Sequence, residues 1–350
     1  MKTKQHLFPE HLTRQNPGSD GIFRNFWSLA TATIEAAPNT LTVRWVYEVE
    51  VGRALAKVKP NSKLSENEWR HNLRIHILQI RKHWLELDHF FDSNQMKFAA
   101  TLSGALSGLE EGNYLVACSM LRSAIENTAW LNQFMAKHVR LIEAGKQADR
   151  IETESFFKFR GELAKTLYPT RYDFSRFDEQ GRLREPQDNS GKTKPWEYKA
   201  ADGKVDRRVS SILSSIERLE KILPGSGEMY ERICEFVHPN VGTQLLISNQ
   251  ESIEYDRNGV QHFCVTLQPH FAQFPAVVQI VLPDMLNFGA LLITHFNALV
   301  AESIPYRDAY QKLGRRVSQQ ALKKNRKLFD PYSDCPCQSE KKFRFCCGKD

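Results

Sequence analysis

Two apolar series of helical period, Met96 to Leu109 and Tyr114 to Lys137, flank the turn-forming Glu110-Glu-Gly-Asn113, and no other stretch restricts the fold as strongly. Apolar residues recurring every three or four positions define one buried helix face, and a short glycine-containing connection makes two such helices antiparallel neighbours. A central helical hairpin is therefore predicted. Before it, Gly21 to Ala37 reads as an amphipathic helix. Leu41 to Lys57 is helix-like but carries strand-forming Thr42-Val43 and Val49 to Val51. Ser65 with Glu68 forms a capping box opening the series Trp69, Leu73, Ile77, Ile80, Trp84 and Leu87, a helix expected to end near Asp88.

Beyond Arg140 the polarity rises. One further helix is expected over Ala148 to Leu167, and residues 168 to 204 show no stable period, too long for an ordinary connection. Ser190-Gly-Lys-Thr193 lacks the preceding strand and first glycine of a phosphate loop. Arg207 to Leu223 and Glu228 to Val237 are predicted helices. Leu245 to Ser248 and His262 to Leu267, on either side of Asp256-Arg-Asn-Gly259, fit a β-hairpin. Pro275 to Ala301 is predicted as a long apolar helix interrupted by Pro283 and ended by Pro305, with a basic helix or linker from Arg307 to Leu328.

The expected fold class is mainly α: a multi-helix body with a small β-hairpin and a C-terminal zinc module. A length of 350 residues suggests more than one unit. The division is residues 1–92 as an N-terminal helical region, 93–305 as a central helical domain, 306–329 as a basic helix or linker, and 330–350 as the zinc module. An apolar content of 41% with 25% charged residues argues against bulk disorder and disulfide-dense scaffolds. No uninterrupted apolar run reaches the ~18 to 20 residues of a membrane span, and the polar start is no secretory leader, so a cytoplasmic protein is expected.

The net charge of +7 is unevenly spread, because residues 306–350 hold 12 Lys and Arg against 5 Asp and Glu, and the remainder is formally neutral. A polyanionic partner would therefore meet the tail. The cysteines divide in the same way. Cys118, Cys234 and Cys264 sit singly among apolar residues, as small buried hydrophobes do. Cys335, Cys337, Cys346 and Cys347 fall within thirteen residues. Four thiolates at that spacing satisfy tetrahedral Zn2+ with no open position, which is a structural site rather than a catalytic one. A twenty-residue module without a core needs such a staple. Lys341, Lys342 and Arg344, interleaved with Phe343 and Phe345, would be displayed by the loop between the two pairs.

Cys335-Pro-Cys337-Gln-Ser-Glu-Lys-Lys-Phe-Arg-Phe-Cys346-Cys347-Gly348 resembles the SEC-C motif, the zinc module at the C-terminus of the SecA translocation ATPase and of many bacterial proteins. Gln338 and Glu340 stand where that motif usually has glycine. The resemblance implies docking on acidic or ribosomal partners, with Lys341, Lys342 and Arg344 as candidate contacts. Ribosome, RNA or an acidic protein are the expected partner classes.

In the body, Arg122 and Glu126 stand one helical turn apart on a helix with an apolar stripe, an arrangement suited to a partly buried architectural pair. Arg232 and His238, with five residues between them, offer other chemistry: an imidazole can take a proton from a ribose hydroxyl and a guanidinium can stabilise charge at phosphorus. This spacing is similar to the R-x4-6-H signature of HEPN helical ribonucleases, which act without metal as homodimers, although Ile233 stands where those enzymes usually carry a polar residue. Residues 95 to 300 also resemble an uncharacterised bacterial helical family that often carries SEC-C tails. His71, His76 and His83 lack the spacing of a helical zinc pair, and no Gly-x-Ser-x-Gly or His-Glu-x-x-His motif occurs. Two functions follow: a zinc-containing docking protein, or a HEPN-like ribonuclease of toxin or phage-defence type.

Overall fold

The computed structural model of the chain describes residues 6–38, 66–147, 212–238, 248–267, 276–324, 326–335 and 341–346. Leu41 to Lys57, Ala148 to Leu167, the segment 168–204 and Leu245 to Ile247 lie outside the described residues. The described fold is mainly α. Its helices are α1 (Glu10–Gln15), α2 (Asp20–Ala36), α3 (Glu66–Glu110), α4 (Tyr114–Gln147), α5 (Ile212–Glu220), α6 (Ser226–Val237) and α7 (Ala276–Lys324). Two strands, β1 (Ser248–Tyr255) and β2 (Gln261–Leu267), form one antiparallel hairpin between α6 and α7.

The central hairpin is the pair α3 and α4. Gly112, at φ 68°, makes the turn, and the Asn113 N–H donates to the Gly108 carbonyl at 2.7 Å. The Asn113 side chain then accepts from the Val116 N–H at 3.2 Å, capping α4. Helix α7 packs against α2, α3 and α4, while α5 and α6 pack on α4. One buried cluster runs from Leu12 through Phe98, Phe134 and Ile293 to Tyr310. At its centre Phe98 and Phe296 stack with centroids 3.7 Å apart, both fully buried.

Three expected helix ends are corrected. Helix α3 does not stop near Asp88 but continues to Glu110, so residues 92 and 93 fall inside one helix. Phe90 and Phe91 pack on Phe134 with centroids 4.1 and 5.6 Å away, and burial outweighs the weak local propensity of Asp92-Ser-Asn94. Ser93 and Asn94 turn their side chains back onto the Phe90 carbonyl, at 3.1 and 2.7 Å, instead of breaking the helix. Helix α4 runs past Lys137 to Gln147. Pro305 does not end α7, which carries both Pro283 and Pro305 internally and reaches Lys324. Tyr310 and Leu322 are fully buried beyond the proline, and this anchoring offsets the roughly 3 kcal/mol that an internal proline costs a helix.

The hairpin turn stands at Asp256 to Gly259 as expected, with the Asp256 carboxylate accepting from the Asn258 and Val260 N–H groups at 2.8 and 2.9 Å. Those two backbone donors, Val260 first, hold its pKa below the ordinary carboxylate range. Among the described residues the first strand extends beyond its expected end at Ser248 and runs to Tyr255 at the turn, with a register irregularity between Gln250 and Ser252.

Candidate functional site

The C-terminal tail folds as a small knob beyond α7. A 3-10 turn, Arg326–Leu328, leads to Phe329, and the chain then folds back so that Asp334 bridges Lys342 in antiparallel fashion. The Cys335 N–H donates to the Lys341 carbonyl at 2.8 Å, the Phe343 N–H to Ser333 at 2.8 Å and the Arg344 N–H to Pro331 at 2.9 Å. Phe343 is fully buried, its ring 5.2 Å from that of Phe329. A second 3-10 turn, Phe343–Phe345, delivers Cys346, whose N–H donates to the Phe343 carbonyl at 3.1 Å.

Cys335 and Cys346 thus belong to one hydrogen-bonded fold, with Cys335 buried and Cys346 half-buried. Cys337 and Cys347 lie outside the described residues. Among the described residues no three metal-binding side chains gather, as expected when half of a four-cysteine set is outside them. The donor chemistry suits zinc, since soft thiolates favour it and a core of two phenylalanines is too small to hold such a knob alone.

The candidate contacts separate. Lys341 is exposed. Lys342 bonds Asp334 at 2.8 Å and, as first cause, lowers that carboxyl below its ordinary range. The Arg344 guanidinium donates to the Tyr332 hydroxyl at 2.9 Å. Arg307, counted in the basic tail, faces inward: its Nε and Nη1 meet Asp88 and Asp92 of α3 at 2.7 and 2.9 Å, and its guanidinium lies 5.9 Å from the Phe91 ring centre.

Arg232 and His238 occupy different settings on α6. The helix starts at Gly225, at φ 88°, where the Glu220 carboxylate accepts from the Gly225 and Gly227 N–H groups at 2.9 and 2.7 Å. These bonds, Gly227 first, hold the Glu220 pKa below its ordinary value. One turn inside, Arg232 donates to Glu228 at 2.6 Å and to Asp284 of α7 at 3.4 Å. His238 is the exposed C-terminal cap, with φ −74°, ψ 149° and its N–H on the Cys234 carbonyl at 3.0 Å. The guanidinium is therefore engaged by carboxylates of two helices while the imidazole stands at the helix exit.

Arg122 and Glu126 do pair, at 3.1 Å, with 26% and 34% of their side chains exposed. The pairing extends further than the spacing implied, because the Tyr230 hydroxyl of α6 donates to Glu126 at 3.0 Å and accepts from Arg122 at 3.3 Å. Burial, followed by the Glu126 charge and its hydrogen bond, pushes the Tyr230 phenol up to about 12 against the opposing Arg122 contact. These groups tie α6 to α4. Cys118 is buried, and that burial raises its thiol to about 12, so it is an inert packing residue.

One constellation had no signal in sequence spacing. His6 sits with Nδ1 3.2 Å from Glu110 Oε1 and Nε2 2.8 Å from Ser103 Oγ, and the Leu7 N–H donates to the same carboxylate oxygen at 3.0 Å. The order serine, histidine, carboxylate matches a nucleophilic relay. Ser103 lies in mid-helix, however, where neighbouring N–H groups are consumed by the helix and no oxyanion donors remain. The His6 imidazole acts instead as a clasp holding the N-terminal segment against the end of α3.

The segment Val278–Arg316 of α7 is long and apolar enough to cross a membrane by length and composition, which its continuity through Pro305 makes possible, and half of its most apolar window is buried inside the fold. Comparison with protein-family models, with curated proteins and with solved structures gave no significant match to this chain.

Proposed function

We propose that the C-terminal tail is a zinc-closed docking module that attaches the helical body to a polyanionic partner, of the kind that a ribosome, RNA or an acidic protein presents. The observation that carries this reading is the knob itself: a backbone fold around Phe343 and Phe329 that joins the Cys335 and Cys346 segments by hydrogen bonds and leaves Lys341 exposed. Cys335, Cys337, Cys346 and Cys347 would hold the metal, and bound zinc would supply closure of the knob without a reactive position. By formal count, four thiolates with one Zn2+ reduce the tail charge of +7 to about +5, which leaves it cationic.

A ribonuclease reading draws on Arg232 and His238, but nothing in their geometry favours it. The Arg232 guanidinium would have to exchange Glu228 and Asp284 for a phosphate. Metal analysis of the purified protein tests the module directly. One zinc per chain is expected, falling to a small fraction in a Cys335→Ser, Cys346→Ser variant with the helical body still folded. Full-length protein without zinc, or zinc retained by that variant, refutes the module.

A further inference from the structure

The acid-free stretch between Ala309 and Phe329 is the most one-sided charge feature of the described molecule. It contains Lys312, Arg315, Arg316, Lys323, Lys324, Arg326 and Lys327 and no Asp or Glu. Elsewhere, Arg24, Arg232 and Arg307 each reach two carboxylates. By contrast, Lys312, Arg315, Arg316, Lys323 and Lys327 are exposed and form no ion pair among the described residues. The continuity of α7 sets their geometry. At about 100° per residue, Lys312, Arg315, Arg316 and Lys323 share roughly 100° of the helix surface, opposite the buried Tyr310 and Gly314. From Lys312 to Lys323 the cations line that face for roughly 16 Å at 1.5 Å per residue, and Lys327 follows in the next turn.

The knob that follows this helix in the chain exposes the rings of Tyr332 and Phe345, at 60% and 63% exposure. The Arg344 guanidinium lies over one face of the Tyr332 ring, 6.0 Å from its centre, and Phe345 has no ring or cation partner among the described residues. A cationic track that follows a phosphate backbone, leading to exposed aromatic rings, is the chemistry of single-strand recognition. An acidic protein would use the cations and leave the rings idle. A duplex offers no unstacked base to meet them.

We infer that single-stranded RNA runs along the cationic face of α7 from Lys312 to Lys323, past Lys327, and stacks unpaired bases on Phe345 and on the Tyr332 ring beside it in the knob. This rests on the tail being the docking element and moves the principal contacts from Lys341, Lys342 and Arg344 to the helix. Binding is weakly dependent on sequence and strongly dependent on salt, because released counterions supply much of the free energy.

The test is fluorescence anisotropy of the zinc-loaded full chain with a labelled twenty-nucleotide RNA of mixed sequence, with the matching RNA duplex and with polyglutamate as competitors. For five phosphate contacts, the slope of log K against log salt is expected near −3.5, at about −0.7 per contact. An Arg315→Gln, Arg316→Gln variant removes two contacts from an exposed face, which reduces the slope by about 1.4 and weakens binding roughly 25-fold at 0.1 M salt. Phe345→Ala is expected to weaken binding about 10-fold with the slope unchanged, as loss of one stacked base should. Circular dichroism and zinc content of the variants exclude misfolding as the cause.

Equal affinity for duplex and single strand, or an unchanged Phe345→Ala variant, overturns the stacking. RNA binding with the wild-type slope in the double arginine variant overturns the track. Polyglutamate binding without RNA binding overturns this inference but leaves the docking reading in place, whereas binding of neither polymer overturns both.

Discussion

Gly104 and Gly108 stand one turn apart on the face of α3 that meets α4, and alanine at the two positions is expected to change stability in opposite directions. In an exposed helix either substitution would gain about 1 kcal/mol, because glycine is the more costly residue to order. At Gly108 a Cβ would lie 2.8 Å from the Ala117 nitrogen and 2.9 Å from the Asn113 carbonyl oxygen. Both are backbone atoms in the first turn of α4, and the Asn113 N–H is itself bonded to Gly108 O at 2.7 Å. The gap is some 0.6 Å short of the 3.4 Å at which ordinary contact begins, so the two helices must separate at their closest point. Overpacking of this kind costs about 1 to 3 kcal/mol, and with the propensity gain subtracted a net loss of up to about 2 kcal/mol is expected for Gly108→Ala. At Gly104 the clash is with Cγ and Sδ of Met120, each 2.9 Å away, the adaptable part of a half-buried side chain. Rotation of that thioether relieves it, and Gly104→Ala is expected to gain about 0.5 to 1 kcal/mol. Urea unfolding followed by far-UV circular dichroism measures both. If Gly108→Ala is stabilised as much as Gly104→Ala, the close backbone crossing of α3 and α4 is wrong.

Replacing Arg307 with alanine leaves Asp88 and Asp92 one turn apart without their counter-charge, and a loss of about 2 kcal/mol is expected for two charge-assisted bonds of partial exposure. Hydrogen exchange should then rise in α7 beyond Pro305, and unchanged protection there would show that the ion pair does not anchor this half. Burial holds the Cys118 thiol protonated to about 12, whereas an unfolded thiol ionises from about 9. Between these values the unfolded state binds fewer protons, so stability falls as pH rises, by at most about 1.4 kcal/mol per unit. Urea midpoints from pH 8.5 to 10 should slope less in a Cys118→Ala variant, which keeps the contribution of the tyrosines, and an identical slope removes the thiol as the cause. In EDTA, wild type and His238→Ala are both expected to leave total RNA intact, while cleavage by wild type alone would restore the ribonuclease assignment.

The central hairpin could be read in the sequence because two apolar series meet at a glycine turn, and Gly112 adopts the left-handed φ such a turn needs. The helix ends could not be read. Proline, serine and asparagine signal termination locally, yet Pro305, Ser93 and Asn94 all lie inside helices. In each case the deciding energy comes from residues distant in sequence: Phe134 under Phe90 and Phe91, and the core around Tyr310 and Leu322 beyond Pro305. Gly108 illustrates the same limit. It has a negative φ and no turn context, and only the approach of Ala117 explains it. The Arg122 and Glu126 pair was visible at its helical spacing, but its third member, Tyr230, is 104 residues from Glu126.

The tail divides along the same line. Its charge and its four cysteines are matters of composition and spacing, whereas which cations are available to a partner is a matter of pairing. Arg307, Lys342 and Arg344 are each held by a neighbour, on α3 or within the knob. The unpaired cations lie between them on a helix that a linker reading of residues 306–329 would have left free to move. Because α7 continues through Pro305 and Tyr310 beyond it belongs to the body's buried cluster, that surface is fixed to the body rather than tethered to it. A partner captured there would therefore impose an orientation on the whole helical body, which a flexible linker of the same charge would not. Lengthening the segment by a flexible insert after Pro305 separates the two cases: affinity for a polyanion should survive, while any activity that depends on the pose of the body should be lost.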